Sequence, residues 1–265
     1  MQIHPMMKRY MALEDEIRAF HGSKKSSLKT PVIQYEGFLN TCFNRLRQLK
    51  NNQKKVVITG LARSSTGFFK SLLSNHPRHR ILTEIFNPNY KGEFPNPEKT
   101  SKLIAVNNPL NLVGFKLLLY HVLDYEKFIK NLHKDNWKIL ALKRNESKKQ
   151  ALSLYLALAY NFYHNNIHST IPEKKILIDP DLLLKAINLF EISNKELSSY
   201  YRILEDKIHI INFSEIKNED LLCGKLSSII NIPSAHLIPS EKKTLPDKWS
   251  LIENSDDVKR IILQD

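Results

Sequence analysis

The stretch "VVITGLARSSTGFFKSLLSNHP" (residues 56–77) joins a run of β-branched residues to Gly60. A short loop with one arginine and several small residues follows, and then an apolar-periodic segment ending at His76-Pro77. This pattern predicts a strand, a tight loop and a helix, the arrangement that aims a helix N-terminus and backbone N–H groups at an anion. Arg63 supplies a planar fork of donors suited to phosphate oxygens, Ser64 and Thr66 add hydroxyls, and Ser65 and Gly67 complete the loop. The chain has only seven glycines, and Gly60 and Gly67 bracket this loop, which points to backbone that needs close approach or unusual dihedral angles. A second basic position, Arg144, follows the apolar run "WKILALK". It precedes a helical stretch in which Gln150 and Ser153 share a face and which Asn145 is placed to cap.

The kind of anion is narrowed by what the loop lacks. A triphosphate loop reads G-x-x-x-x-G-K-[ST], with its lysine on the β- and γ-phosphates and its hydroxyl on Mg²⁺. "GLARSSTG" has no second glycine at that spacing and no lysine before the hydroxyl, and no later strand ends in the aspartate that helps hold Mg²⁺. A metal-free anion site fits better, and a P-loop-like small-molecule kinase is the alternative. His164 and His168 stand at i, i+4 where a helix is ending and lack the H-E-x-x-H glutamate, so no metal is expected.

The elements that must position these residues alternate. Helices are expected at about 6–20 and 34–50, with the polar linker "HGSKKSSLKT" between them; strands are expected at 55–60, 80–84, 112–120, 137–143 and within 207–216. Further helices are expected over 66–75, 123–133, 146–164, 180–206, 219–230 and 256–263. Residues 86–111 carry four prolines and six asparagines and read as a binding loop or lid. This order predicts an α/β, P-loop-like three-layer fold, a central parallel sheet flanked by helices, with ligands beyond the C-terminal strand ends. The polar clusters at Gly60–Gly67, Lys143–Asn145 and Asn212–Glu215 should therefore converge on one crevice. Two regions are expected: residues 1–50 as an N-terminal helical extension and 51–265 as the main domain.

Composition bounds the partners. Net charge is +13, from 40 basic and 27 acidic residues, yet the lysines are scattered and no nucleic-acid-binding motif accompanies them. A solvated basic surface or steering of a small polyanion is the expectation; no specific nucleic acid is, and peripheral contact with a membrane surface stays open. No window approaches a membrane span and the N-terminus lacks a signal-peptide core, so a cytoplasmic protein is expected. Cys42 and Cys223 show no metal-ligand spacing and read as free thiols.

Taken together, "TGLARSSTGFFKSLL", the following "EIFNP", and Arg144 with Gln150 and Ser153 resemble the sulfotransferases that use 3′-phosphoadenosine-5′-phosphosulfate (PAPS). The bacterial carbohydrate group with Nod-factor and trehalose sulfotransferases is the nearest in flavour. That family's loop reads R-[ST]-G-[ST]; Arg63, Ser64 and Thr66 match, and Ser65 stands where glycine is usual. Gly114-Phe115-Lys116 and Trp249…Ile252-Glu253-Asn254 match further habits of the family, and the resemblance spans about residue 54 to the C-terminus. It implies PAPS as co-substrate and 3′-phosphoadenosine-5′-phosphate as product. It also implies a 5′-phosphosulfate site at Arg63–Gly67, a 3′-phosphate held by Arg144 and Ser153, and a hydroxyl acceptor, by default a sugar. Glu84 is the implied base, in an E-x-F context; such a carboxylate needs surroundings that raise its proton affinity, or acts by orienting the hydroxyl. His121 is the alternative base and Lys116 a group to polarise the sulfuryl oxygens. A nucleotide-binding protein without catalysis is a further alternative, hinted at by Ser65.

Overall fold

The computed structural model describes residues 4–22, 53–82, 112–160, 174–237 and 248–263. Strands β1 (Lys54–Gly60), β2 (His79–Leu82), β3 (Leu112–Leu118), β4 (Lys138–Lys143) and β5 (His209–Asn212) form one sheet in the order β2-β3-β1-β4-β5. Every pairing is parallel, with Val56 opposite Gly114 on one side and Lys138 on the other. Around it lie α1 (Pro5–Phe20), α2 (Thr66–Ser74), α3 (Tyr125–Lys134), α4 (Ser147–Ala159), α5 (Pro180–Ile203), α6 (Glu219–Ile230) and α7 (Ser255–Leu263). The expected three-layer α/β arrangement is present. The expected helix at 34–50 and the segment 86–111 lie outside the described residues.

Alternation along the strands divides the interior into two cores, because successive side chains point to opposite faces. Val57, Phe115, Leu117, Ile139 and Ala141 face a large core with α1, α3, α4, α5 and α7. Val56, Ile58, Leu112, Leu140, Leu142 and Ile211 face a smaller one built with Phe69, Leu72 and Leu73 of α2 and Leu222, Leu226 and Ile230 of α6. Gly114 belongs to the second face, where a Cβ would lie 2.4 Å from the Val56 carbonyl oxygen and 2.9 Å from Ile81 Cδ1. The strand crossing there admits no side chain.

The first and last described helices are tied into the same body. Helix α1 buries Met6, Met7, Tyr10, Leu13 and Ile17 in the large core. The "W…IEN" segment has a structural job: Asn254 accepts from the Ile178 N–H (3.0 Å) and donates back to its carbonyl (2.9 Å). Among the described residues no helix is long and apolar enough to cross a membrane.

The start of α1 depends on an uncharged imidazole. His4 is the N-cap, its Nδ1 accepting from the Met6 N–H at 3.3 Å, while Nε2 lies 3.7 Å from Glu196 Oε1. Burial lowers the His4 pKa below 6.5, and this outweighs the opposing attraction of Glu196. A depressed histidine pKa contributes stability that is full above the unfolded value and is lost as pH falls through the folded one. Between about pH 7.5 and about pH 5, wild-type protein is therefore expected to lose more stability than His4→Asn, whose amide caps without titrating. Urea midpoints at the two pH values measure the difference; equal losses would remove His4 from this role.

Candidate functional site

The loops after β1, β4 and β5 leave the same sheet edge side by side. Helix α2 follows β1 onto one face and α4 follows β4 onto the other, so a crevice opens between those strand ends, as at the switch point of doubly wound sheets. The three polar clusters meet here through Arg144. Its Nη1 donates to the Arg63 carbonyl oxygen (2.9 Å), and its guanidinium lies over the Phe213 ring, 4.3 Å from the centroid.

The first loop is tightly wound. A Cβ on Gly60 would lie 2.8 Å from Ser64 Oγ and 2.9 Å from the Leu142 carbonyl oxygen, so the close approach expected from the glycine is real. Gly67 differs: it sits in the first turn of α2 with nothing within 4 Å of a Cβ, so packing does not require glycine there. Gly60 itself stands at φ 158°, and the left-handed dihedral angles within the loop fall on Arg63 (φ 60°) and Ser65 (φ 70°). That explains why glycine suits the Ser65 position. Ser64, buried, donates from Oγ to the Leu61 carbonyl oxygen (2.7 Å) and closes the turn on itself. Thr66 is buried at the start of α2, and Ser65 at the N-cap makes no side-chain cap. The first-turn amides of α2 thus lack the side-chain acceptor that most helices supply.

The β4–α4 junction grips this loop from the other side of the crevice. Gln150, fully buried, donates from Nε2 to the Ala62 carbonyl oxygen (2.6 Å), and its Oε1 accepts from Asn194 Nδ2 (3.3 Å). Ser153 accepts from Arg63 Nε (3.0 Å). The structure thus joins Ser153 directly to Arg63 and places Arg144 against the Arg63 backbone, so the two predicted anion-binding elements form one cluster. Asn145 is not the helix cap; Glu146 holds that position.

Arg144 is buried, and desolvation lowers its proton affinity against the attraction of Glu146, whose Oε2 lies 3.7 Å from Nη2. A guanidinium remains protonated even so. Its Nε is buried with no hydrogen-bond partner among the described residues. Two arginines and a helix start without a side-chain cap thus lie at one crevice, where each contributes positive charge.

The residues expected around the reacting group are distributed differently. Lys116 is half-buried in β3, paired in register with Ile58 and two residues short of the strand end. His121 is buried in the 3₁₀ turn after β3, where Nδ1 accepts from the Leu118 N–H (3.2 Å). In the neutral ring that bond puts the proton on Nε2. Glu84 lies outside the described residues, as do Cys42, His164 and His168. The clamp by Gln150, its support from Asn194, and Phe213 beneath Arg144 were not assigned from sequence; only the position of Phe213 inside the Asn212–Glu215 cluster hinted at it.

No protein-family model matches the chain, and no curated protein does. Among solved structures, a sulfotransferase from Alicyclobacillus acidocaldarius is similar at 14% identity, over 82% of this chain and 98% of that one, with a TM-score of 0.49.

The left-handed Ser65 gives a direct test of the loop geometry. A non-glycine residue in that conformation costs about 1–2 kcal/mol, partly offset by the chain entropy that glycine loses on folding. Ser65→Gly is expected to raise the unfolding free energy by up to about 1 kcal/mol, read from urea midpoints. A loss of stability would mean that the hydroxyl, not the backbone, defines this position.

Proposed function

We propose that the protein is a sulfotransferase that moves a sulfuryl group from PAPS to an acceptor hydroxyl, with a carbohydrate as the acceptor class. The observation that carries this reading is the convergence of Arg63, Arg144 and Ser153 on one crevice beside a loop whose sequence lacks the lysine of a triphosphate site. Within it, residues 51–265 form the transferase domain, residues 1–50 extend it, and the enzyme works in the cytoplasm.

The residues fit the nucleotide's two charged ends. Uncapped amides at the start of α2, the Arg63 guanidinium and the open space at Gly67 suit the 5′-phosphosulfate. The buried Arg144 Nε has no partner among the described residues, and a 3′-phosphate oxygen would supply one in a charge-assisted bond. Ser153 accepts from Arg63 and so keeps its own O–H to donate to the same phosphate.

PAPS supplies an activated sulfuryl group, and the protein's task is to hold the leaving phosphate and the acceptor in line. Negative charge grows on the leaving phosphate oxygen as the bond to sulfur breaks, and donors already aimed at it lower the barrier. Arg63 and the loop amides take that part, and Lys116 polarises the sulfuryl oxygens. Glu84 removes the acceptor proton. His121 is the weaker choice, because its Nδ1 lone pair is occupied by the Leu118 amide.

Calorimetry with 3′-phosphoadenosine-5′-phosphate, 5′-AMP and ATP tests the binding part. The bisphosphate is expected to bind most tightly and without Mg²⁺; Mg²⁺-dependent preference for ATP would point to a kinase instead. Arg144→Ala also loosens the loop through Arg63, so the informative quantity is the ratio of bisphosphate to AMP affinity. That ratio should fall by roughly one to two decades, the value of a charge-assisted pair worth about 1.5–3 kcal/mol.

The catalytic part rests on Glu84. Glu84→Gln should leave bisphosphate affinity nearly intact and lower kcat by about 10²–10⁴, the range for losing a general base. The same turnover loss in His121→Asn, with Glu84→Gln active, would transfer the role to the histidine.

A further inference from the structure

Three imidazoles from segments far apart in sequence meet at the sheet edge opposite the anion loop. His76 and His79 flank the turn between α2 and β2, and His236 ends the single 3₁₀ turn Ser234–His236 that follows α6. One ring nitrogen from each lies within 4.8 Å of the other two. The rings of His76 and His236 stack with centroids 3.9 Å apart and planes inclined by 22°, and His79 lies 4.5 Å from His76. From sequence no metal is expected, and the segment ending at His76-Pro77 reads as the end of a helix, whose C-cap is Asn75.

The hydrogen bonds decide which lone pairs are available. His79 donates from Nδ1 to the Leu73 carbonyl oxygen (3.1 Å), which leaves the lone pair on Nε2. That Nε2 and the Nδ1 of His236 are both buried with no hydrogen-bond partner among the described residues. A backbone carbonyl holding the far nitrogen is the usual way a protein fixes the tautomer and orientation of a metal-ligating histidine. His76 accepts from the exposed Arg78 N–H at 3.2 Å; ligation through either of its ring nitrogens gives that amide to water.

We propose that His76, His79 and His236 form a binding site for a borderline divalent transition-metal ion, with Zn²⁺ as occupant. The ion staples the α2–β2 turn to the segment after α6. Nitrogen ligands without a carboxylate select such ions over Mg²⁺ and Ca²⁺. A tetrahedral Zn²⁺ with bonds of about 2.0–2.1 Å draws the nitrogens closer than they now stand and unstacks His76 from His236, leaving a fourth position for water. The C-terminal end of α2 adds its partial negative charge on the side where Leu73 holds His79. Nearby Lys54 opposes a cation, though its Nζ is engaged by the Asn231 carbonyl oxygen.

The test uses the full chain stripped with a chelator and measured without nucleotide, so its outcome is independent of the proposed activity. Equilibrium dialysis against Zn²⁺ is expected to give one tightly held ion per chain. The triple variant His76→Gln/His79→Gln/His236→Gln should lose it, and His236→Gln alone, on a surface turn, should weaken it at least about tenfold. Co²⁺ in place of Zn²⁺ should show the intense visible bands of tetrahedral coordination, a readout that needs only the wild-type protein. Absence of a tight ion in wild type, full uptake by the triple variant, or a weak octahedral-type Co²⁺ spectrum would each overturn the proposal.

Discussion

The site depends on carbonyl groups being held from behind. Arg144 and Gln150 take the carbonyl oxygens of Arg63 and Ala62, two consecutive peptides of the loop after β1. In a planar trans peptide the C=O and the following N–H point in opposite directions, so fixing these carbonyls turns the amides of Ser64 and Arg63 the other way. Such successive N–H groups beside a left-handed residue make an anion-binding concavity. The loop contains two left-handed non-glycine residues, a conformation that persists only where its surroundings over-determine it. Gln150 is itself held by Asn194 of α5, so the restraint reaches a third element.

The sheet makes that restraint geometrically available. Placing β4 beside β1 brings the end of one strand within reach of the loop that follows the other, and the divergence of α2 and α4 to opposite faces keeps the space between them open. Close contacts at Gly60 and Gly114 let β1 approach Leu142 on one side and let β3 approach Val56 on the other, at two points where no side chain fits. Burying Arg144 carries a desolvation cost. Its partial compensation comes from the Arg63 carbonyl, the Phe213 ring and the more distant Glu146, while the buried Nε has no hydrogen-bond partner among the described residues.

Much of this was legible from sequence, because it rests on local pattern. The β-branched run before Gly60, the apolar stretches and the helical periodicity gave the five parallel strands, and the polar residues after three of them gave the crevice. Long-range side-chain-to-backbone contacts were not legible. Gln150 reads as a helix-face neighbour of Ser153, and nothing in the spacing says that it reaches Ala62, 88 residues earlier. Ser153 reads as a partner of Arg144, and the fold hands it to Arg63. Gly67 reads as a conformational necessity, whereas the left-handed positions fall on Arg63, whose side chain gives no sign of it, and on Ser65, where only the glycine usual in the resembled loop hints at it. The histidine cluster was invisible for the same reason, since His236 lies far along the chain from His76 and His79 and reaches them in a fold where α2 and α6 share the smaller core.

Helix α2 links the two ends of this arrangement. Its nine residues span about 13 Å, so a charge at one end is more than a Debye length from the other at physiological ionic strength. Direct electrostatic coupling between the crevice and the histidine cluster is therefore weak. What passes between them is position: Phe69, Leu72 and Leu73 fix the helix in the smaller core, and the turn that carries His76 and His79 fixes where it ends. A helix pinned at its C-terminal end cannot slide along its axis, and sliding is the motion that would withdraw its first-turn amides from the crevice. The turn that carries His76 and His79 and the loop after β1 thus meet the two ends of one helix.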